Sequence, residues 1–297
     1  ASVSNQYLAL AADDELLNLT QRTLSTREES LKLTQLRFDN GAASELDLRQ
    51  AQTLTEAARV ALAQARRQRE LDRNALALLV GQALPELPSG AGRIDAMTLA
   101  DVPAGVPSEV LLGRPDVRQA EQQLVAANAN IGAARAAFWP RITLTASAGT
   151  ASTQLSDLFK DGAWSFAAQL LQPIFDAGRN RANLAVAEAQ RDIAVAQYER
   201  AIQAAFRDVA DALAGRATLD DQLRSTRAQA DAEQARYDLS DLRYRNGVSS
   251  SLELLDAQRS LFTARQAVVQ TQLAVLQNRV AVYRALGGGY ASTASSR

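Results

Sequence analysis

An internal repeat constrains the fold of this chain more than any other feature of its sequence. Segment 36–81 aligns without a gap to segment 242–287, with 16 identities in 46 positions. The first copy opens with the letters LRFDNG, the second opens with LRYRNG, and each copy closes with a glycine. Self-similarity over this length indicates that one supersecondary unit occurs twice in the chain.

Each copy predicts a helix, a tight turn and a returning helix. Asn-Gly is a strong turn and helix-stop signal, because glycine adopts a positive φ without penalty. A serine after the turn can cap the returning helix, and an acidic residue three positions later completes a capping box. A plain helical hairpin would also satisfy this pattern. The signal residues are Asn40, Gly41, Ser44 and Asp47 in the first copy, and Asn246, Gly247, Ser250 and Glu253 in the second.

The helices predicted around the second turn are long. From Arg179 to Tyr244 the sequence contains no proline, and Gly215 is the only glycine. A single helix over this run would be roughly 90–100 Å long at 1.5 Å per residue. Because long helices are stabilised mainly by packing against partners, we expect close packing of several helices, as in coiled coils or helical barrels.

Composition excludes several kinds of function. The net charge of −1 leaves no basic excess for binding nucleic acid. The chain has neither cysteine nor histidine, which removes thiolate chemistry, imidazole catalysis and the commonest zinc ligands. An enzyme would have to use carboxylate pairs or one of two lysines, Lys32 and Lys160. We therefore expect no enzymatic activity, no cofactor and no metal. No apolar run approaches 18 residues, so we expect no transmembrane helix.

Two predicted strands interrupt the helices. Pro140 ends a helix, and apolar side chains then alternate with small or polar ones over 141–150 and again over 164–171. Strands of this length with aromatic residues near their ends are typical of outer-membrane barrels. Trp139 and Trp164 are candidates for an aromatic belt at the membrane interface, although burial against helices would also suit them. An ordinary hairpin packed on helices is the alternative, since two strands cannot close a barrel.

Punctuation by proline and glycine divides the chain into four segments. Residues 1–10 have the character of the middle of a helix, so we expect the chain to be truncated at its N-terminus. The predicted segments are a first hairpin at 1–84 with its tip near 39–45, a connector at 85–113, a second repeat at 114–289 with strands at about 141–172 and a tip near 245–251, and a disordered tail at 290–297.

Six short motifs together resemble the TolC-type outer membrane efflux channels, especially their OprM-like branch. The motifs follow the family's order and span nearly the whole chain. They are RPDVRQAE at 114–121, ANANIG at 127–132, FWP at 138–140, PIFDAGR at 173–179, LLDAQR at 254–259 and ALGGG at 285–289.

The resemblance implies a mainly α fold, in which long antiparallel helical hairpins form the protomer of an α-barrel. One β-hairpin would contribute to a trimeric outer-membrane β-barrel. The second repeat is complete, whereas the first lacks its early helices and strands. The lipid-acceptor cysteine usual in this branch is also missing. The connector at 85–113 resembles the family's equatorial region.

The resemblance also implies a function, namely an outer-membrane exit duct of a tripartite efflux system. Drugs or other solutes would pass passively through a homotrimeric pore whose helical tunnel lies in the periplasm. The implied partners are a periplasmic adaptor protein, an inner-membrane pump and outer-membrane lipid, with no nucleic acid. The alternative is a soluble structural or adaptor protein built of helical hairpins. Such a protein would not need alternating strands flanked by tryptophan.

Specific residues inherit roles from the resemblance. The turns would form periplasmic tips that dock the adaptor, through Asn40, Gly41, Ser44, Asn246, Gly247 and Ser250. A pore gate would lie just beyond the second turn, at Leu252, Glu253, Asp256 and Arg259, supported by Asp47 and Tyr244. Some family members carry an arginine that links gate helices where this chain has Ser249. The pair Asp256 and Arg259 is the substitute candidate for that link, and an ordinary surface pair is the alternative.

Overall fold

The computed structural model describes residues 1–85, 94, 97, 114–150 and 162–288. These residues form five helices and one pair of strands, as the mainly α prediction requires. Within them, no helix is long and apolar enough to cross a bilayer. The helices are α1 (Ser2–Asp39), α2 (Glu45–Val80), α3 (Pro115–Ala136), α4 (Arg179–Arg245) and α5 (Ser251–Ala285), and the strands are β1 (Arg141–Thr150) and β2 (Gly162–Leu171).

The described residues fall into two compact units. The first takes its residues from 1–106 and 207–297, and the second takes its residues from 107–206. The predicted division into four segments stays a prediction. Most of the connector at 85–113, and the tail at 290–297, lie outside the described residues.

In the first unit, α1 and α2 form one antiparallel hairpin, and α5 packs mainly on α1. Large apolar residues meet in a small cluster that includes Leu8, Ile94 and Leu276. Many of the other buried positions carry alanine, and Ala58 and Ala257 are fully buried. Small residues let helix backbones approach closely, which explains how an alanine-rich chain packs long helices without a thick core.

The two turns of the repeat have the same geometry. Gly41 has a φ of +70° and Gly247 has a φ of +73°. The amide after each glycine donates to the carbonyl five residues back, at 2.7 Å from Ala42 to Arg37 and 2.9 Å from Val248 to Arg243. This is the Schellman pattern, which satisfies the last carbonyls of a helix and requires a left-handed residue. The predicted turn role of both glycines is confirmed.

The caps that follow the two turns differ. Ser44 accepts a hydrogen bond from the Asp47 amide at 3.1 Å, and the Asp47 carboxylate accepts one from the Ser44 amide at 3.1 Å. Ser250 occupies the corresponding N-cap position, but its side chain makes no capping hydrogen bond. The second capping box is therefore not formed, and this part of the prediction is wrong. Glu253 is the predicted partner of Ser250, but its Oε1 lies instead 3.9 Å from Nη1 of Arg243, across the turn.

The second unit uses two of the sequence motifs as structural joints. Arg114 is buried and donates two hydrogen bonds to the Asp116 carboxylate, at 3.0 and 2.7 Å. Its Nη1 also donates to the Ala205 carbonyl at 3.4 Å. The Arg114 guanidinium thereby lowers the pKa of Asp116. At the start of α4, Asp176 accepts from the amides of Gly178 and Asn180 at 3.0 and 2.9 Å. These motifs fix how the helices begin and join.

The unequal caps generate a matched prediction. Replacing Ser44 by Ala removes a formed capping box and should lower the local opening free energy of the first turn of α2 by about 1 kcal/mol. Replacing Ser250 by Ala removes no capping hydrogen bond. The local opening free energy of the first turn of α5 should therefore fall by only about 0.3 kcal/mol or less. Native-state hydrogen exchange of the first-turn amides measures both. Equal losses in the two variants would contradict the difference in capping.

Candidate functional site

The strand pair has one apolar face and one polar face, and both faces are exposed. Arg141 pairs with Leu171 and Thr150 pairs with Gly162, in unbroken antiparallel register. Because side chains alternate along a strand, the even-numbered residues of both strands share a face. These residues include Ile142, Leu144, Ala146, Ala148, Trp164, Phe166, Ala168 and Leu170.

The opposite face of the strand pair carries four hydroxyl groups, at Thr143, Thr145, Ser147 and Ser165. Thr143 faces Gln169, and the hydroxyls of Ser147 and Ser165 lie 2.7 Å apart. On the apolar face, Ile142 is 69% exposed and Trp164 is 81% exposed. A soluble hairpin normally buries its apolar face on a core, whereas this one presents it outward.

The two predicted belt residues lie near opposite ends of the strand pair. Trp139 precedes β1 by two residues, whereas Trp164 pairs with Ala148, two residues before β1 ends. Both side chains are strongly exposed, so the alternative of burial against helices is not realised among the described residues.

At the tips of the helical hairpins, two contacts join the first hairpin to the second. The Arg37 guanidinium lies 4.4 Å from the centroid of the Tyr244 ring, and that ring is only 8% exposed. The Ser251 hydroxyl donates to the Asp47 carboxylate. Together with Ser44, this bond lowers the pKa of Asp47. The structure thus brings both predicted gate-support residues to the junction of the two tips.

Three of the four predicted gate residues line one groove. Leu252, Asp256 and Arg259 face Leu46 and Arg49 of α2 across a groove of about 420 Å³. Leu252 is 61% exposed, so its apolar side chain is available to a neighbour. Glu253 is not among the lining residues, because it points toward Arg243.

Asp256 is held by two arginines. One of its oxygens accepts from Arg259 at 2.5 Å, and the other accepts from Arg236 of α4. The Arg236 hydrogen bond is the main cause that lowers the pKa of Asp256. The predicted Asp256–Arg259 pair is present, but with Arg236 it fastens α4 to α5 inside the second hairpin. Ser249, at the position of the family's arginine, has a buried hydroxyl with no hydrogen bond to any described residue.

The six residues predicted to dock an adaptor are all exposed at the turns. Asn40 and Asn246 each donate a side-chain hydrogen bond to the carbonyl four residues back, both at 2.7 Å. The two asparagines therefore shape the turns in the same way, whether or not a partner also contacts them. The docking role of these residues stays a prediction.

The strongest pKa shift lies away from the tips, between α1 and α2. Burial, followed by the neighbouring Asp72 and Asp14, raises the pKa of Asp13 to about 7. Partial burial opposes the ionisation of Asp72, but hydrogen bonds with Asp13, Gln68 and Gln6 outweigh it and lower the pKa of Asp72. Across the described residues, no group of acidic side chains has the arrangement of a metal site.

The comparisons with known proteins agree with these observations. The family model of outer membrane efflux proteins matches residues 1–82 and 106–288. The chain belongs to this family. The resemblance found in the sequence motifs is therefore confirmed.

Relatives of this efflux-family chain include proteins named as outer membrane proteins. The toluene efflux pump outer membrane protein TtgC of Pseudomonas putida is 47% identical over 292 residues, which cover 98% of this chain and 60% of the relative. Outer membrane protein OprJ of Pseudomonas aeruginosa is 46% identical over 301 residues, covering 98% and 61%. The chain thus spans about three fifths of the length of these relatives.

Solved structures of outer-membrane channels share the fold. The open state of the MtrE outer membrane channel of Neisseria gonorrhoeae has a TM-score of 0.77 and 43% identity, covering 97% of this chain and 65% of that one. The CmeC outer membrane channel of Campylobacter jejuni has a TM-score of 0.81 and 25% identity, covering 97% and 62%.

Three residues at the tips were missed by sequence reasoning. Arg37, Arg236 and Ser251 make the contacts that join the helices, yet none was singled out. The repeat alignment does pair Arg37 with Arg243, which marks the position as one that both copies keep. Its ring partner depends on how the hairpins dock, which the local pattern does not encode.

The Asp47–Ser251 contact can be tested by a double-mutant cycle. Asp47→Asn combined with Ser251→Ala should show a coupling energy of about 1 kcal/mol in urea unfolding. The pKa of Asp47 is lowered in the folded state, so the coupling should be present above about pH 3.8 and should be lost as the pH falls through the lowered pKa. Asp47→Asn combined with Ser250→Ala is the matched control, with coupling near zero. Equal coupling in both cycles would contradict the contact.

Proposed function

We propose that this chain is part of a protomer of a trimeric outer-membrane exit duct, through which an efflux pump expels drugs or other solutes. The single observation that carries the proposal is the exposed strand pair. Its apolar face suits lipid and its hydroxylic face suits a water-filled lumen, as in outer-membrane barrels. Membership in the outer membrane efflux family supports the same conclusion.

The strand pair also explains why several chains are needed. A two-stranded sheet leaves both of its edges unpaired, and unpaired backbone groups are not tolerated in hydrocarbon. Strands from other parts of the natural polypeptide and from other protomers would close the barrel. A homotrimer is the closed assembly that we propose.

The dimensions of the strand pair suit a bilayer. Trp139 and the level of Trp164 are nine residues apart along β1, because Trp164 pairs with Ala148. That separation is at most roughly 30 Å, or about 23 Å along the membrane normal at a tilt near 40°. The apolar band of outer-membrane barrels is about 25 Å tall between its aromatic girdles, so the two residues fit a pair of girdles.

We place the entrance of the duct at the helical tips. There, Leu252 is exposed and the exposed turns are available to a periplasmic adaptor, which would connect the duct to an inner-membrane pump. Transport through such a duct is passive, and the chain performs no chemistry on the solute. A soluble helical adaptor is disfavoured, because it would expose the apolar face of the strand pair to water.

The charges at Asp256 determine what the gate does in this conformation. The Asp256 carboxylate is held by two guanidinium groups, and one of them, that of Arg236, also pairs with Glu233 at 3.2 Å, so the charge of Asp256 is compensated. Around a threefold axis, a ring of such compensated carboxylates would attract cations only weakly. A carboxylate ring that attracts cations would appear only when Arg236 and Arg259 are released or removed.

Planar bilayer recordings on the natural polypeptide test this function. We expect trimers that conduct ions, and we expect Arg236→Gln with Arg259→Gln to raise the preference for cations, because it leaves Asp256 uncompensated. Adding Asp256→Asn to that double variant should cancel the increase.

Asp211→Asn is the matched control, because Asp211 is an exposed carboxylate of α4 outside the groove of the predicted gate. It should leave the cation preference of the double variant unchanged. A monomeric protein that fails to conduct would contradict the duct itself. Conduction with equal effects of Asp211→Asn and Asp256→Asn would contradict only the position of the gate.

A further inference from the structure

A small cavity lies in the first unit between α1, α4 and α5, some way from the tips. Its volume is about 120 Å³. Three of its ten lining residues are arginines, namely Arg22, Arg27 and Arg265, and none of the ten is acidic. We call it the arginine cavity.

Arg27 is the central residue of the arginine cavity. Its side chain belongs to a residue only 5% exposed, and it forms no ion pair with any described residue. Its Nη1 donates to the Leu54 carbonyl at 2.9 Å, and its guanidinium lies 5.3 Å from the centroid of the Phe262 ring. Its Nε is buried without a hydrogen-bond acceptor among the described residues.

A buried arginine without a counterion is costly. Burial lowers the pKa of Arg27, but a guanidinium remains protonated in proteins, so the positive charge stays. Natural proteins normally pair such a charge with a carboxylate or another anion. Here the protein offers a neutral carbonyl and an aromatic face, which leave the charge uncompensated.

The other two arginines add to the positive charge. Arg265 donates to the neutral amide of Gln234, and no described carboxylate pairs with it. Arg22 is exposed at the mouth of the cavity. The adjoining groove, which Arg22 and Arg265 also line, includes two carboxylates, Glu15 and Asp231, whereas no lining residue of the arginine cavity itself is acidic.

We propose that the arginine cavity binds a small oxyanion of the sulfate or phosphate type. Guanidinium groups bind such ions with paired, charge-assisted hydrogen bonds, and three arginines line this cavity. The cavity can hold several water molecules, which is room for one tetrahedral ion. Since its walls come from α1 of the first hairpin and from both helices of the second, the bound ion would fasten the two hairpins together.

Thermal unfolding of the natural polypeptide in detergent tests the proposal, with inorganic sulfate as the probe. Sulfate is exchanged for chloride at constant ionic strength. We expect a saturable rise of the midpoint in the unmodified protein and its loss in Arg22→Gln/Arg265→Gln. Both substitutions are at exposed residues, so the variant should fold. Sulfate also stabilises proteins without binding to a site, so a control is needed.

The matched control is Arg66→Gln/Arg67→Gln, which makes the same change of charge at exposed positions of α2. It should keep the full sulfate-dependent rise. Crystals soaked in selenate should show an anomalous peak in the cavity of the unmodified protein. The same sulfate effect in both double variants, or a cavity that holds only water in selenate, would overturn the proposal. Neither outcome bears on conduction, because no transport is measured.

Discussion

The structure depends on a strand pair whose apolar face and unpaired edges need partners that the described residues do not supply. Two antiparallel strands carry an apolar face, exposed at Ile142 and Trp164, and two edges that pair with no other strand among the described residues. Exposure of the apolar face to water is unfavourable, and unpaired backbone groups at the edges are unfavourable in lipid. An isolated hairpin is therefore unstable in either environment. Closure with other strands in a membrane removes both conflicts. In the duct that we propose, the long helices would extend a tunnel from the barrel toward the periplasm.

Departures from the repeat's symmetry matter as much as the repeat. Both copies build the same Schellman turn, yet only the first completes its capping box. Residues at the two turns also make contacts that the repeat does not duplicate: the guanidinium of Arg37 in the first copy lies over the ring of Tyr244 in the second, and Asp47 accepts a hydrogen bond from Ser251. Two hairpins that share one turn geometry thereby differ in their caps and in their contacts with each other.

Local signals predicted the elements well, because helix stops, turn glycines and strand alternation depend on neighbours in sequence. Gly41, Gly247 and Pro140 mark boundaries within a few residues of those observed. Contacts between hairpins were not predictable in the same way. Nothing near Arg236 in sequence indicates that it reaches Asp256, twenty residues away and across the turn. The capping box predicted at Ser250 is not formed, and the Glu253 carboxylate lies instead near the guanidinium of Arg243, a residue that the capping pattern does not include.

The most direct test of membrane insertion compares two adjacent residues on opposite faces of β2. The chain has no cysteine, so spin labels can be attached at Phe166→Cys and Ser165→Cys in the natural polypeptide, reconstituted in lipid. We predict that the label at 166 is accessible to oxygen and protected from a water-soluble nickel complex, and that the label at 165 shows the reverse. Equal exposure of both labels to the nickel complex would contradict contact between this face and lipid.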